Sequence, residues 1–274
     1  LLLREMAQRL RGCLRPGDLV ARLGGDEFAV LLEDLQDPAA GMRLAERVLQ
    51  AVAQPLAING TEVLPGASLG ITFSDLADRT VDELLRDADL AMYEAKAAGR
   101  GRIALFDRSM HERVAQKLRL EADLRRAIGE GALALQFQPL FELGDRRLIG
   151  FEALARWDHP QRGPVSPAVF IGLAEETGHI EALTAWVIDH ALAQLAQWNR
   201  QFPQAGRLQM NVNISGRDLE RPGLVERVHE ALRRHAVPAG QLTLEITETT
   251  LMSRLDVALS VLQALRDSGV RFSI

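Results

Sequence analysis

Three strand-like segments in the second half of the chain break their apolar pattern on one side only. In 148–157, Ile149, Phe151, Ala153, Ala155 and Trp157 fall on one face and leave Glu152, Leu154 and Arg156 on the other, because side chains alternate along a strand. In 208–214 and the Ser215 that follows it, Met210, Val212 and Ile214 oppose Asn211, Asn213 and Ser215, and in 242–247, Leu242, Leu244 and Ile246 oppose Thr243, Glu245 and Thr247. Helical patterns separate these segments, one from Pro167 and others at 180–198, 223–234 and 256–267, with further strands at 133–141 and 270–274. That alternation predicts parallel β-α units in an open sheet or a barrel. Parallel strands are covered on both faces and read as apolar nearly throughout, so acids, amides and hydroxyls here are costly unless a metal, ligand or partner group satisfies them. One such strand could equally be an edge with a wet face. Three together mark a site, since local rule-breaking concentrates where function requires it. Glu152, Asn213 and Glu245 are oxygen donors, which implies Mg²⁺ or Mn²⁺ rather than zinc.

The first half has a different rhythm. An apolar helical face opens it (Leu1, Leu2, Leu3, Met6, Leu10), and Arg15-Pro16-Gly17-Asp18 is a turn by its Pro-Gly pair. Strands at 19–23 and 28–32 flank the tip Gly24-Gly25-Asp26-Glu27, which makes a β-hairpin. A helix follows Pro38, with Ala45, Val48, Leu49 and Val52 on one face, and strand-like material runs over 61–73. A second helix is expected at 80–98, with Thr80 and Glu83 as a capping box and Gly99 at its C-terminal cap. A strand at 103–106 closes an α/β or α+β sheet domain over 1–107. Residues 108–116 read as a connecting helix, lacking the Gly/Ser/Pro richness of a flexible linker, and 117–274 is the second domain. The hairpin tip admits a plain reading as a surface turn. Against it, glycine allows close backbone approach to a ligand and adjacent carboxylates suit a hard cation, as a metal-triphosphate site requires. Lys96 and Arg100, four apart, are expected on one helix face, where they either meet phosphate or complement the helix dipole.

The 274 residues exceed one domain of roughly 150 and fall short of two. A net charge of −5 lacks the basic excess that holds a protein on nucleic acid or an anionic membrane, so no nucleic-acid partner is expected. The single cysteine, Cys13, excludes an internal disulfide framework and suits a reducing cytoplasm. No apolar run approaches the roughly 18 residues of a membrane span. His111, His159, His179, His190, His229 and His235 have no metal-ligand spacing and are expected on the surface or in packing, His159 in a His-Pro turn. The chain is expected to begin inside a helical element and to end inside a strand.

Gly24-Gly25-Asp26-Glu27-Phe28 resembles the signature of the GGDEF family of diguanylate cyclases. The resemblance implies that two GTP molecules, one on each of two facing domains, condense to cyclic di-GMP with Mg²⁺ or Mn²⁺, so the intact parent would act as a homodimer. It implies Asp26 as a metal ligand, Glu27 as a catalytic acid, Gly24 and Gly25 beside the substrate, Lys96 and Arg100 on phosphates, and Arg15 with Asp18 as an inhibitory cyclic-di-GMP site. Gln138-Pro139, Glu152-Ala153-Leu154-Ala155-Arg156-Trp157, His159-Pro160, Asn213-Ile214-Ser215 and Glu245-Ile246-Thr247-Glu248 resemble, in order, the EAL family of cyclic-di-GMP phosphodiesterases. That family implies a (β/α)₈-type barrel with its site at the C-terminal strand ends and a metal-activated water in a two-metal arrangement. Glu152, Asn213 and Glu245 become metal ligands, Glu152 also catalytic, with Arg156, Gln138 and Leu154 as substrate contacts and Glu248 as a second acid of its motif. The alternative is a regulatory module that binds nucleotide without turnover. Both families carry further motifs that this sequence does not contain: an opening D-x-D/x-F-K-type strand in the first, and a D-D-F-G run in the second. Both domains are therefore expected to be truncated, the first at its N-terminal side and the second at its C-terminal side, and the 274-residue chain to have little activity alone. A sensor domain is expected upstream, where membrane tethering of an otherwise cytoplasmic parent would lie.

Overall fold

The computed structural model describes residues 1–35, 37–58, 60–74, 80–203, 208–246 and 255–273, with 255–258 by backbone only. The chain divides into two compact units, Leu1–Gln116 and Lys117–Ile274.

In the first unit, α1 (Leu2–Cys13) turns its Met6, Leu10 and Cys13 face onto Val48 and Val52 of α2 (Pro38–Val52), and Val20, Phe28, Leu56 and Leu69 pack around them. Helix α2 starts where Asp37 accepts a hydrogen bond from the Ala39 N–H at 2.9 Å, with Pro38 in its first turn; that position needs no N–H from proline. Strands β1 (Leu19–Gly24) and β2 (Glu27–Leu31) form the expected antiparallel hairpin. The stretch 61–73 is not one strand. It holds β4 (Thr61–Val63), which pairs with β3 (Leu56–Ile58), and β5 (Leu69–Ile71), which runs parallel to β6 (Ile103–Leu105). Among the described residues the unit therefore has three two-stranded sheets rather than one. Helix α3 (Val81–Ala97) opens with the expected capping box: the Thr80 N–H donates to Glu83 Oε2 at 2.8 Å, and the Glu83 N–H donates to Thr80 Oγ1 at 3.3 Å. It lies so close to β5 that a Cβ on Gly70 would stand 1.9 Å from the Ala88 carbonyl oxygen, so glycine is required there.

Helix α4 (Ser109–Glu130) runs without interruption from the first unit into the second. The short connection expected at 108–116 and the periodic stretch after it form a single element.

The second unit is built on a six-stranded sheet. Strands β7 (Leu133–Phe141), β8 (Leu148–His159), β10 (Gln209–Asn213), β11 (Leu242–Glu245) and β12 (Arg271–Ser273) follow one another across it, and β9 (Gly163–Val165) pairs antiparallel with the end of β8. From β8 onward the pairing is parallel, but β7 is antiparallel to β8. The expectation of uniformly parallel units fails at β7 because only the turn 142–147 joins it to β8. A parallel neighbour needs a crossover of a dozen residues or more. Strand order that follows chain order, with no reversal, is the pattern of a barrel wall rather than of a doubly wound sheet. Helices α5 (Pro167–Thr177), α6 (Ile180–Gln201), α7 (Gly216–Glu220), α8 (Leu224–His235) and α9 (Leu255–Asp267) fill the connections. Met210, Val212, Leu242 and Leu244 are fully buried and pack with Phe170, Ile188, Leu192, Leu195 and Val228. Each such side chain contributes about 1.5–3 kcal/mol, which holds the apolar strand face down and turns its polar counterpart to the opposite side. At Gly150 a Cβ would stand 2.3 Å from the Gln209 carbonyl oxygen; the lack of one lets β8 and β10 pair.

Candidate functional site

Strand register lines up the polar face of the second unit. Gln138 lies opposite Glu152, Glu152 opposite Asn211, and Asn211 opposite Thr243, which is followed by Arg271. Two residues further along β10, Asn213 lies opposite Glu245 and Glu245 opposite Ser273; Leu154 faces Gln136. Arg271 and Ser273 join these rows unpredicted, although the alternation of Val270, Phe272 and Ile274 against them carried the same signal.

The two asparagines of β10 reach diagonally in opposite directions. Asn213 Nδ2 donates to Glu152 Oε1 at 2.7 Å on one side, and Asn211 Nδ2 donates to Glu245 Oε1 at 2.7 Å on the other. Diagonal neighbours on one face of a sheet are within reach of such side chains. The result joins Glu152, Asn213, Asn211 and Glu245 in one layer at the C-terminal ends of β10 and β11. Glu152 and Glu245 are half-buried and Asn213 is exposed, so the layer opens to a ligand. Two carboxylates and an amide whose oxygen is not used in that bond form an all-oxygen donor set, which fits a hard divalent cation. Among the described residues no group of three His, Cys, Asp or Glu side chains could hold a metal; in this layer the third donor is the asparagine.

Arg156 lies on the same face of β8. Its Nε donates to Gln136 Oε1 at 2.8 Å and its Nη1 to the Ala155 carbonyl at 2.9 Å, which orients a guanidinium suited to phosphate. Gln138 is exposed. Thr247 and Glu248 lie outside the described residues.

The chain leaving Asn213 is anchored by groups that sequence reasoning missed. Asp218 is fully buried, and its Oδ2 accepts from the Ser215 N–H at 2.9 Å and from Thr184 Oγ1 at 2.8 Å. Ser215 Oγ bonds Glu175 Oε1 at 2.6 Å. Burial, the largest cause, pushes the Asp218 carboxyl up to about 6, against the bonds from Ser215 and Thr184 and the Arg227 charge. The serine-to-aspartate spacing of a capping box, Ser215 to Asp218, was the available signal.

In the first unit the hairpin places Gly24 opposite Glu27, with Gly25 (φ +48°) and Asp26 forming the two-residue tip. Asp26 and Glu27 are both exposed, and Arg22 fixes the tip by donating to the Gly25 carbonyl from Nε at 3.0 Å. Lys96 and Arg100 do not share a helix face. Helix α3 ends at Ala97, Gly99 takes φ +114° and Arg100 φ +57°, and this left-handed stop, with the Arg100 N–H bonded to the Ala95 carbonyl at 3.2 Å, reverses the chain. Both side chains remain exposed. Arg15 and Asp18 do meet, through the Arg15 N–H to Asp18 Oδ2 at 3.0 Å and Arg15 Nε to Asp18 Oδ1 at 3.3 Å. The Asp18 side chain is only 3% exposed while the Arg15 side chain is 58% exposed, so the arginine is the accessible member.

Three histidines are paired with aspartates: His111 Nε2 with Asp87 at 2.7 Å, His159 Nε2 with Asp123 at 3.0 Å and His235 Nε2 with Asp189 at 2.9 Å. His159 ends β8 rather than sitting in the turn after it. Its Nδ1 accepts from the Gln161 N–H, which leaves Nε2 as the donor to Asp123 and holds that carboxyl below the usual range.

A barrel-wall sheet with an oxygen-donor face thus follows a unit whose hairpin carries a glycine-carboxylate tip. The EAL domain family matches residues 121–274, and the family "Diguanylate cyclase, GGDEF domain" matches residues 1–102. The chain belongs to the EAL family and carries a GGDEF domain ahead of its EAL domain. It is 40% identical over 276 residues to the bifunctional diguanylate cyclase/cyclic di-GMP phosphodiesterase MucR of Pseudomonas aeruginosa, covering 100% of this chain and 40% of MucR. It is 38% identical to the cyclic di-GMP phosphodiesterase NbdA of the same species, covering 100% of this chain and 34% of NbdA. The chain thus spans about a third to two fifths of these relatives. Among solved structures, the PaMucR phosphodiesterase in complex with c-di-GMP is 38% identical, with a TM-score of 0.54 over 57% of this chain and 62% of that one. The EAL enzyme Bd1971 bound to cAMP and cyclic-di-GMP is 26% identical, with a TM-score of 0.57 over 72% of this chain and 51% of that one. No described helix is long and apolar enough to cross a membrane.

Proposed function

We propose that the second unit binds cyclic di-GMP on the Glu152/Asn213/Glu245 face and that in the intact protein, with Mg²⁺ or Mn²⁺, this domain hydrolyses it to linear pGpG. The observation that carries this reading is the layer of crossed asparagine-to-glutamate bonds at the strand ends. It holds two carboxylates and a free amide oxygen on one open face. Glu152, Asn213 and Glu245 hold the cation, Arg156 takes a phosphate oxygen in the orientation set by Gln136, Gln138 meets a guanine edge, and Leu154 lines the site. A bound divalent cation supplies an activated water and neutralises phosphoryl charge; the protein positions the diester and fixes its orientation.

The first unit binds GTP at its hairpin tip. Gly24 and Gly25 admit the triphosphate, Asp26 holds Mg²⁺ and Glu27 serves as the acid, while Lys96 and Arg100 reach phosphates from the end of α3 and the turn beyond it. Condensation of two GTP requires two such units face to face, hence a homodimer of the intact protein, and Arg15 with Asp18 forms an inhibitory cyclic-di-GMP site. A second reading, in which this unit binds nucleotide and regulates hydrolysis without turnover, is favoured by NbdA, which aligns with the whole chain and is named only as a phosphodiesterase. A cytoplasmic location and a sensor domain upstream in the intact protein belong to this reading.

The test is calorimetric titration of the chain with cyclic di-GMP in the presence of Mn²⁺, alongside an assay for pGpG. The Glu152→Gln variant is expected to keep cyclic-di-GMP binding and to lose any turnover by 100-fold or more, of the order seen when an essential charged group is removed. Absence of cyclic-di-GMP binding by the unsubstituted chain overturns the reading.

A further inference from the structure

We infer that Asn211 is a positioning residue for the divalent-cation site, fixing the Glu245 carboxylate for the cation through its side-chain amide. The inference rests on the proposed metal site and adds to it a residue that is not a ligand.

Four observations carry it. Asn211 Nδ2 lies 2.7 Å from Glu245 Oε1, a charge-assisted hydrogen bond. No Lys, Arg or His forms an ion pair with Glu245 among the described residues, so the amide is the donor that holds this carboxylate. The bond mirrors the one from Asn213 to Glu152 across the same strand. One strand therefore sets both carboxylates, from opposite sides, at adjacent levels. Finally, Asn211 Oδ1 is buried with no partner among the described residues, and a buried unsatisfied acceptor is destabilising. Asn211 is half-buried on the face opposite the fully buried Met210 and Val212, and packing by itself supplies no reason for an amide with an orphaned oxygen there. The amide earns its place through the bond that it donates.

Residues that hydrogen-bond metal-ligating carboxylates set ligand orientation, and their loss costs roughly 10–100-fold in metal affinity. The experiment measures Mn²⁺ binding to the chain by electron paramagnetic resonance without nucleotide, for the unsubstituted protein, Asn211→Leu and Glu245→Gln, with thermal melting of each in chelator. Leucine matches asparagine in size and removes both the donor and the orphaned acceptor. The expected result is a 10–100-fold weaker Mn²⁺ affinity in Asn211→Leu with an unchanged or higher metal-free melting temperature, a split that a purely structural role would not produce. If Asn211→Leu does not fold, Asn211→Ala is read in the same way. Unchanged Mn²⁺ affinity in the Asn211 variant beside loss in Glu245→Gln overturns the inference and leaves the metal site standing. A melting temperature that falls in step with affinity also overturns it. No Mn²⁺ binding by the unsubstituted chain overturns the metal site and the inference together.

Discussion

Replacing Asp218 with asparagine should stabilise the second unit at neutral pH, and more so as pH rises. Asp218 is fully buried beneath the segment that leaves Asn213, and its carboxyl is raised from 3.8 to about 6, burial being the main cause. A carboxyl raised on folding binds more protons in the native than in the unfolded state between those two values. Stability therefore falls as pH climbs through that window and stays lowered above it. The cost is under about 1 kcal/mol at pH 4 and about 3 kcal/mol at pH 7.5. Asparagine carries no charge to desolvate, and its Oδ1 can accept the same bonds from the Ser215 N–H and Thr184 Oγ1. Those bonds weaken by about 1 kcal/mol in total when the acceptor is neutral, and the amide nitrogen at the unpartnered Oδ1 position costs about 1 kcal/mol more, so the net gain at pH 7.5 is about 1 kcal/mol. Urea unfolding followed by tryptophan emission isolates the relevant unit, since Trp157, Trp186 and Trp198 are the three tryptophans of the chain and all lie in it. The stability difference between variant and unsubstituted chain should grow by about 2 kcal/mol between pH 4 and pH 7.5. A difference that does not change with pH, or a variant less stable at pH 7.5, would show that Asp218 is held as a stabilising anion and refute the reasoning.

Two further substitutions probe the site and its scaffold. Gln136→Leu deprives Arg156 of its 2.8 Å partner and is expected to weaken cyclic-di-GMP binding by about 5-fold, for a net loss of about 1 kcal/mol. Gln136→Glu, which still accepts from the guanidinium, should restore it; calorimetric affinities equal in all three proteins would remove Gln136 from the site. Gly150→Ala places a Cβ 2.3 Å from the Gln209 carbonyl oxygen and should destabilise the second unit by about 3 kcal/mol, the upper part of the range for overpacking. It should also weaken Mn²⁺ binding by parting Glu152 from Asn213. A tryptophan-detected unfolding midpoint equal to that of the unsubstituted chain would mean that the β8–β10 spacing is looser than described.

Much of the fold was written in local pattern. The helix at α2, the Thr80 and Glu83 capping box and the hairpin tip follow from side chains within a few residues of one another. The polar face of β8, β10 and β11 also follows, because alternation along a strand needs no knowledge of its neighbours. The departures are of two kinds: at β7 and at Lys96 and Arg100 a short-range signal outweighs the spacing pattern, and at 61–73 the pairing depends on strands distant in sequence. Strand β7 has the composition of its neighbours, yet it runs antiparallel because its link to β8 is short. Lys96 and Arg100 have helix-face spacing, yet Gly99 turns the chain between them. The stretch 61–73 looks continuous but divides between two different partners.

Residue type and spacing alone mark the candidates: Asp26 and Glu27 at a glycine tip, and Glu152, Asn213 and Glu245 on strand faces that burial alone would have made apolar. How these groups are held depends on strand pairing. Strand register, fixed by close contacts such as Gly150 against Gln209, sets Asn213 diagonally across from Glu152 and Asn211 diagonally across from Glu245. Residue type and spacing determine what each side chain can donate or accept. Which neighbour it meets depends on how separate strands pair, and that is settled by the packing of the whole sheet.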